Sequence, residues 1–234
     1  MDITNQKILF DFDKDKFNFP DFFLSHLSRH GVTDLQKLHS QLPNKLLANT
    51  VVTVANDQAV PVYEVLYNIF EPEYCNVEPS KNIWNVYKDF IYYLSNDIFN
   101  EKLVYQRKPT LRVQFPGNKA VGGFHRDRDY NHPPEEKNIW IPLTPSFETN
   151  TIWMESAFDK EDYKPVNLNY GQGLIFDSGL KHGNKINDEG LTRLSFDFRV
   201  IPKSIWTEER NHNVKSSLKR KLQFKINGYY DVMN

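Results

Sequence analysis

Cysteine is almost absent from this 234-residue chain, which has only one, Cys75. An internal disulfide is therefore excluded, and a reducing cytoplasm is the expected compartment. Because no other cysteine and no histidine lies near Cys75 in the sequence, we expect this thiol to be inert.

Long apolar runs and a strong net charge are also lacking. No run approaches the roughly 18 apolar residues of a membrane span. The first residues show no basic segment followed by an apolar one, so we expect no secretory signal and no membrane partner. The formal net charge is -1, which gives no general case for a nucleic-acid partner. The basic run at residues 215–225 is typical of a solvated face.

Hydrophobic residues make up 39% and aromatic residues 14% of the chain, enough for a sizeable core. Helices are predicted at residues 20–29, 34–42, 62–70 and 80–98. The last is the clearest, because its apolar residues recur at steps of three and four. We therefore expect residues 1–100 to form a mostly helical part.

After residue 100 the pattern changes to short alternating runs separated by turn residues. Strands are predicted at residues 103–105, 111–115, 121–127, 138–141, 151–154, 166–170, 174–176 and 191–201. The expected fold is mainly β with N-terminal helices (α+β), a jelly roll backed by helices. Residues 101–202 would form the catalytic core and residues 203–234 an extension, all within one folded domain.

The segment F-H-R-D-R-D-Y at residues 124–130 holds the first candidate site. His125 and Asp127 lie on or at the end of a predicted strand and are two residues apart, so their side chains should share a face. His182, after the predicted strand at 174–176, is the best third ligand. Two histidines and one carboxylate make the facial triad of non-haem Fe(II) oxygenases.

Arg193 lies eleven residues after His182, at the start of the last predicted strand, and Ser195 shares its face. A guanidinium can bind a carboxylate through two parallel hydrogen bonds, and a hydroxyl can add a third. This anchor suits the far carboxylate of 2-oxoglutarate. Arg199 lies on the same face but roughly 20 Å further along a straight strand. The sequence therefore predicts a structural role for Arg199, too far from the metal.

Two neighbouring strands offer candidate pocket-lining residues. Arg112 and Gln114 share one strand face, and Asn138 and Trp140 share another. A solvated face for the first pair and core packing for Trp140 are the alternatives, and the sequence leaves both open.

The ordered set of His125, Asp127, His182 and Arg193 resembles the Fe(II)/2-oxoglutarate-dependent dioxygenases over residues 103–201. The runs N-I-W-I-P-L at 138–143, W-M-E-S at 153–156 and R-L-S-F-D-F-R at 193–199 are similar to the streptomycin-biosynthesis and phytanoyl-CoA-hydroxylase-like branch. The resemblance implies a cupin-like double-stranded β-helix. It also implies iron on His125, Asp127 and His182, with 2-oxoglutarate on Arg193 and Ser195.

The same resemblance implies an oxidoreductase that uses dioxygen to hydroxylate or otherwise oxidise a small molecule. A carbohydrate or another biosynthetic intermediate is the expected substrate. Related halogenases replace the carboxylate ligand by a small residue, so the presence of Asp127 favours hydroxylation. Two alternatives stay open: a metal-dependent cupin enzyme that does not use 2-oxoglutarate, and a non-catalytic jelly-roll binding module. The sequence specifies neither the substrate nor the oligomeric state.

Overall fold

The computed structural model describes residues 6–42, 83–119, 123–130, 132–207 and 224–233. The predicted helix at 62–70, Cys75 and residues 215–223 of the basic run lie outside these ranges. None of the described helices is long and apolar enough to span a membrane.

Ten strands in the described ranges form two sheets in which every strand pair is antiparallel. They are β1 (Lys7–Asp11), β2 (Leu103–Gln106), β3 (Thr110–Gln114), β4 (Lys137–Pro142), β5 (Ile152–Met154), β6 (Lys164–Pro165), β7 (Gln172–Asp177), β8 (His182–Asn184), β9 (Arg193–Pro202) and β10 (Tyr230–Val232). The larger sheet has the order β1-β7-β4-β9-β2-β10, with β3 also paired to β9. The smaller sheet has the order β6-β5-β8. The predicted class, mainly β with helices, is confirmed.

The α-helices within the described ranges are α1 (Phe19–Leu27), α2 (Leu38–Gln41) and α3 (Ile83–Tyr93). They confirm the predictions at 20–29 and 34–42 and the described part of the prediction at 80–98. Asn18 caps α1 by accepting a hydrogen bond from the backbone of Asp21. A 3-10 turn then ends at Gly31, whose φ of 85° is the left-handed conformation that glycine adopts without a steric penalty.

Strand β9 divides the molecule, because its residues alternate between two buried faces. The apolar set packs in the main core with the helices: Leu194, Phe196, Phe198 and Val200. The polar set points to the opposite face and is also buried: Arg193, Ser195, Asp197 and Arg199. A polar face that is buried must find its partners inside the protein.

The smaller sheet covers this second face of the larger sheet. A separate apolar cluster joins the two sheets, made of Trp140, Ile152, Met154, Val166, Leu168, Leu174, Phe176 and Leu180. Two isolated backbone bridges also connect segments across the structure, His125 with His182 and Ser146 with Leu168. The polar face of β9 is therefore enclosed within the protein.

Several strand predictions differ from the structure. The described part of residues 121–127 makes only one bridge, and residues 166–170 make one bridge at Leu168 next to the short strand β6. Strands β1, β8 and β10 were not predicted, and each pairs with a partner distant in sequence. The division at residues 100 and 202 stays a prediction, and β1 and β10, from the two flanking parts, complete the larger sheet.

Candidate metal centre

The structure brings His125 and His182 together through their backbones. Each N–H donates to the other's carbonyl oxygen at 2.9 Å. The two imidazole rings consequently lie side by side, with 4.7 Å between their centroids. His182 opens β8, which pairs with β5 through Met154 and fixes its position in the smaller sheet.

Both imidazoles are oriented by backbone carbonyls. Nδ1 of His125 lies 3.1 Å from the carbonyl oxygen of Gly123, and Nδ1 of His182 lies 2.9 Å from that of Leu180. A carbonyl only accepts, so each Nδ1 carries the proton and each Nε2 keeps its lone pair for another partner. Burial lowers the pKa of His182, against the opposing effect of Asp127. The neutral imidazole, the form that binds metals, is thereby favoured.

Asp127 reaches the two histidines from a turn, and the prediction that it lies on a strand with His125 is wrong. It begins a 3-10 helix, Asp127–Tyr130. The guanidinium of Arg128 holds this turn by donating to the Asp177 carboxylate at 2.6 Å and to the Pro134 carbonyl at 3.0 Å. The expected convergence of the side chains is nonetheless observed.

The two carboxylate oxygens of Asp127 have different partners. Oδ1 lies 3.4 Å from Nε2 of His125 and 3.7 Å from Nε2 of His182. Oδ2 accepts a hydrogen bond from Nη2 of Arg199 at 2.9 Å. Burial alone would raise the pKa of this carboxyl, but Arg199 and the contact with His125 hold the pKa well below its usual range. Asp127 is therefore an ionised ligand with one oxygen directed at the histidines.

These three residues fit a divalent metal ion. Their ligand atoms all lie within 4.8 Å of one another. Metal–ligand bonds of about 2.1 Å place neighbouring ligands about 3 Å apart, so a small contraction of this arrangement would be sufficient. Two neutral imidazoles and one carboxylate, all on one side, are the donor set of the non-haem iron facial triad.

Arg199 was placed too far from the metal by the sequence, and this prediction is wrong. Arg193 donates from Nε to the carbonyl of Asn150, four residues before Met154, the strand partner of His182. The start of β9 therefore lies away from the two histidines, and the strand returns toward them. The distance of roughly 20 Å was the length of strand between Arg193 and Arg199, on the assumption that Arg193 lies near the metal. In the structure Arg199 is the residue of β9 that contacts the triad. The alternation R-L-S-F-D-F-R indicated only that Arg199 shares a face with Arg193, not which end of the strand meets the metal ligands.

Arg199, which binds Asp127, also takes part in an ionic network on the polar face of β9. It pairs with Asp197, and Nε of Arg112 donates to the same carboxylate at 2.7 Å. Burial raises the pKa of Asp197, but Arg112 and Arg199 bring it below the usual value. Two arginines and two aspartates therefore balance in charge. Arg112, predicted as pocket-lining, has this ion pair as its partner.

The predicted anchor, Arg193, is only 1% exposed. Besides its bond to Asn150, its Nη1 donates to Oγ of Ser195 at 2.9 Å and its Nη2 to Oε1 of Gln114 at 3.0 Å. The structure therefore brings Arg193, Ser195 and Gln114 together in one cluster. Ser195 lies further along β9 in the direction of Arg199, so one arm of the guanidinium points toward the triad end.

The two candidates on β4 differ in their surroundings. Trp140 packs in the apolar cluster between the sheets, the commoner fate of a strand tryptophan. Asn138 is 1% exposed and lies directly opposite Arg199 on β9. Asn138 therefore faces the side of the sheet that holds the ionic network.

Among known proteins, the streptomycin biosynthesis protein StrG from Streptomyces griseus is 34% identical to this chain over 187 residues, or 80% of this chain and 83% of StrG. No protein-family model matches the chain.

Among solved structures, CytC3 with Fe(II) and alpha-ketoglutarate aligns over 85% of this chain and 73% of its own length, at 14% identity and a TM-score of 0.47. EctD from S. alaskensis with bound Fe aligns over 86% of this chain and 74% of its own length, at 10% identity and a TM-score of 0.48. AviO1 from Streptomyces viridochromogenes Tue57 covers 55% of this chain, which spans 63% of AviO1, at 18% identity and a TM-score of 0.41.

Proposed function

We propose that this chain, which belongs to the family of the streptomycin biosynthesis protein StrG, is a non-haem Fe(II)- and 2-oxoglutarate-dependent oxygenase. The observation that carries the proposal is the convergence of His125, Asp127 and His182, with Nδ1 of both histidines and one oxygen of the carboxylate already held by the protein. Two facing antiparallel sheets with this centre between them support the double-stranded β-helix as the fold.

Iron at this centre would supply the activation of dioxygen, coupled to the decarboxylation of 2-oxoglutarate to succinate. The chain's own residues hold the metal on one face, which leaves the opposite face to co-substrate, dioxygen and water. Arg199 engages Oδ2 of Asp127 and so leaves a single carboxylate oxygen for the metal. The ring of Phe176, from the apolar cluster between the sheets, packs against His182.

Arg193 and Ser195 are proposed to bind the far carboxylate of 2-oxoglutarate. The guanidinium is held in place by Asn150 and Gln114, and its Nη1 is directed at Ser195. A carboxylate arriving here would accept from the guanidinium and the hydroxyl together, in exchange for part of the bonding to Gln114. Gln114 would then line the pocket, as the sequence predicted.

The proposed reaction is the hydroxylation or another oxidation of a small molecule. The name of the relative favours an intermediate of biosynthesis, and a carbohydrate is the first candidate. A cytoplasmic location, with no nucleic-acid or membrane partner, completes the proposal.

A second candidate is a metal-dependent cupin enzyme that does not use 2-oxoglutarate. It is favoured by one observation: the guanidinium of Arg193 already donates to three protein acceptors. A non-catalytic binding module is less favoured, because the three ligand residues are all present and converge.

The test is an anaerobic titration of the apo-protein with Fe(II) and then 2-oxoglutarate, followed by visible absorption. We expect the charge-transfer band of an iron-chelated 2-oxo acid in the wild type, and no band in His182→Ala. Iron binding without the band would support the cupin alternative. The absence of iron binding would contradict both enzyme proposals and favour the binding module.

A further inference from the structure

Asn138 lies between two residues that each contact a residue of the triad. On β4 it is directly opposite Arg199 of β9 and Phe176 of β7. Directly opposed residues of antiparallel strands project from the same face of the sheet. Arg199 binds Asp127, and the Phe176 ring packs edge-on against the His182 ring with 4.8 Å between centroids. The Asn138 amide therefore faces the metal centre.

This amide has no partner within the described protein. Neither Nδ2 nor Oδ1 of Asn138 makes a hydrogen bond, although the residue is 1% exposed. Nε of Arg199, on the neighbouring strand, is likewise buried and without a partner. Leaving a buried polar group unpaired is destabilising, so three such atoms on two neighbouring residues indicate a position for a bound molecule.

The chemistry of the three atoms restricts what that molecule is. Whichever way the amide of Asn138 is oriented, it offers one donor and one acceptor, and Nε of Arg199 adds a second donor. A carboxylate only accepts and an ammonium only donates, so each leaves a group unpaired. A hydroxyl both donates and accepts, and it satisfies the mixed set.

The charges nearby favour a neutral molecule. Asp127 and Asp197 are balanced by Arg199 and Arg112. The dianion 2-oxoglutarate would balance a divalent iron. Two buried charges remain, the positive one of Arg193 and the negative one of Glu136, which acts on Arg199. With them the sum is still zero, so no net charge attracts an ionic substrate group.

We propose that Asn138 and Nε of Arg199 bind a hydroxyl group of the substrate, and that the substrate is a neutral, hydroxyl-bearing molecule. The inference rests on the proposed function and adds to it the class of substrate and the residues that orient it. A hydroxyl fixed at this position would set which carbon faces the metal. A site built to hydrogen-bond a hydroxyl also rejects an analogue that lacks one, because the buried groups stay unpaired.

An exposed aromatic ring at the edge of the centre is consistent with such a substrate. Tyr130 is 52% exposed, and its ring lies 5.4 Å from that of His125, edge to face. A molecule with hydroxyls on one side and C–H groups on the other could place its apolar side on this ring while its hydroxyl reaches Asn138.

The test uses crystals of the full chain loaded with Ni(II), which occupies the metal site without turnover. They are soaked separately in three small probes of similar size at equal concentration: glycerol, propionate and propylammonium. We expect a glycerol hydroxyl about 3 Å from both the Asn138 amide and Nε of Arg199, and neither ion at that place. The hydroxyl should be lost in Asn138→Leu and retained in Asn167→Leu, which removes an exposed amide.

Several results would overturn the inference. One is the binding of propionate or propylammonium at this place in the wild type. Another is that all three soaks of the wild type show only a buried water molecule there. Both are read from the wild type, so they do not depend on how well a variant folds. Glycerol retained in Asn138→Leu would overturn it as well.

An anaerobic titration of the same variants separates this inference from the proposed function. A loss of 2-oxoglutarate affinity of about tenfold or more in Asn138→Leu would assign the amide to the co-substrate, against the inference. Failure of the wild type to bind Fe(II) or 2-oxoglutarate would contradict the proposed function, and the soaks would still decide whether the hydroxyl site exists.

Discussion

The two ends of β9 place buried arginines in opposite situations. Arg193 donates from its three nitrogens to a carbonyl, a hydroxyl and an amide oxygen, which are all neutral acceptors. Arg199 lies between the carboxylates of Asp127 and Asp197, and its Nε has no hydrogen-bond partner among the described residues. An arginine that donates to neutral acceptors can use its charge to attract an anion, whereas one between two carboxylates orients them. The first end suits an anionic ligand, and the second supports a metal.

The largest effect should come from removing the carboxylate that links Arg199 to the centre. Asp127→Ala deletes a ligand, so we expect Fe(II) affinity to fall by more than about 100-fold. Anaerobic calorimetric titration of the apo-protein measures it. Asp159→Ala, which removes an exposed partner of Arg126, is the control and should bind as the wild type. Metal binding unchanged in Asp127→Ala would remove Asp127 from the centre.

At the other end of β9, Arg193→Lys should weaken the binding of 2-oxoglutarate and leave the binding of Fe(II) nearly unchanged. A point charge cannot replace the two-pronged guanidinium. The loss of one charge-assisted hydrogen bond, about 1.5–3 kcal/mol, corresponds to a loss of affinity of about 10- to 100-fold. The titration follows the charge-transfer band, with Fe(II) affinity expected to change by less than about threefold. A 2-oxoglutarate affinity equal to that of the wild type would move the anchor to another residue.

Arg199→Lys should weaken the binding of the metal and not that of 2-oxoglutarate, and the effect should be smaller. Lysine keeps the charge between the two carboxylates but loses the planar geometry that holds Oδ2 of Asp127, so we expect metal affinity to fall by about tenfold. Arg112→Lys is the matched control, because Nε of Arg112 donates to the same Asp197 carboxylate that Arg199 pairs with. Equal losses in the two variants would show that the network acts on stability and not on the metal ligand.

The smallest effect concerns stability in the absence of ligand. Asn138→Leu replaces an unpaired buried amide by an apolar side chain of similar size, so we expect the free energy of unfolding to rise by about 1 kcal/mol. For a chain of this length Tm should rise by about 2–4 °C. Asn187→Leu should do the reverse, because that amide donates to the carbonyls of Gln114 and Leu191. A drop in Tm for Asn138→Leu would indicate a protein partner for its amide.

The sequence predicted the residues of the centre better than the way in which they meet. His125, Asp127 and His182 were identified from spacing and residue type, and the structure brings them together. The resemblance to the streptomycin-biosynthesis branch is confirmed by the 34% identical relative. The strand expected around Asp127 was wrong, because a 3-10 turn forms there, and one residue that holds it through Arg128, Asp177, is distant in the sequence.

The role of Arg199 could not be read from spacing along one strand. Periodicity shows which residues share a face, but it does not show which end of the strand meets a distant loop. Which end of β9 lies near His182 depends on the pairing of β5 with β8 and on the connection that leads into β9. The unpaired amide of Asn138 is likewise visible only in three dimensions, because its neighbours Phe176 and Arg199 come from other strands.

The most direct test of the account compares two co-substrates on the Fe(II)-loaded wild type, Arg193→Lys and Arg199→Lys. Dissociation constants are measured anaerobically for 2-oxoglutarate and for 2-oxobutyrate, which shares the chelating end but lacks the far carboxylate. The account predicts that the wild type prefers 2-oxoglutarate, that Arg193→Lys loses most of this preference, and that Arg199→Lys keeps it. A preference that survives in Arg193→Lys and disappears in Arg199→Lys would contradict the division of roles between the two ends of β9.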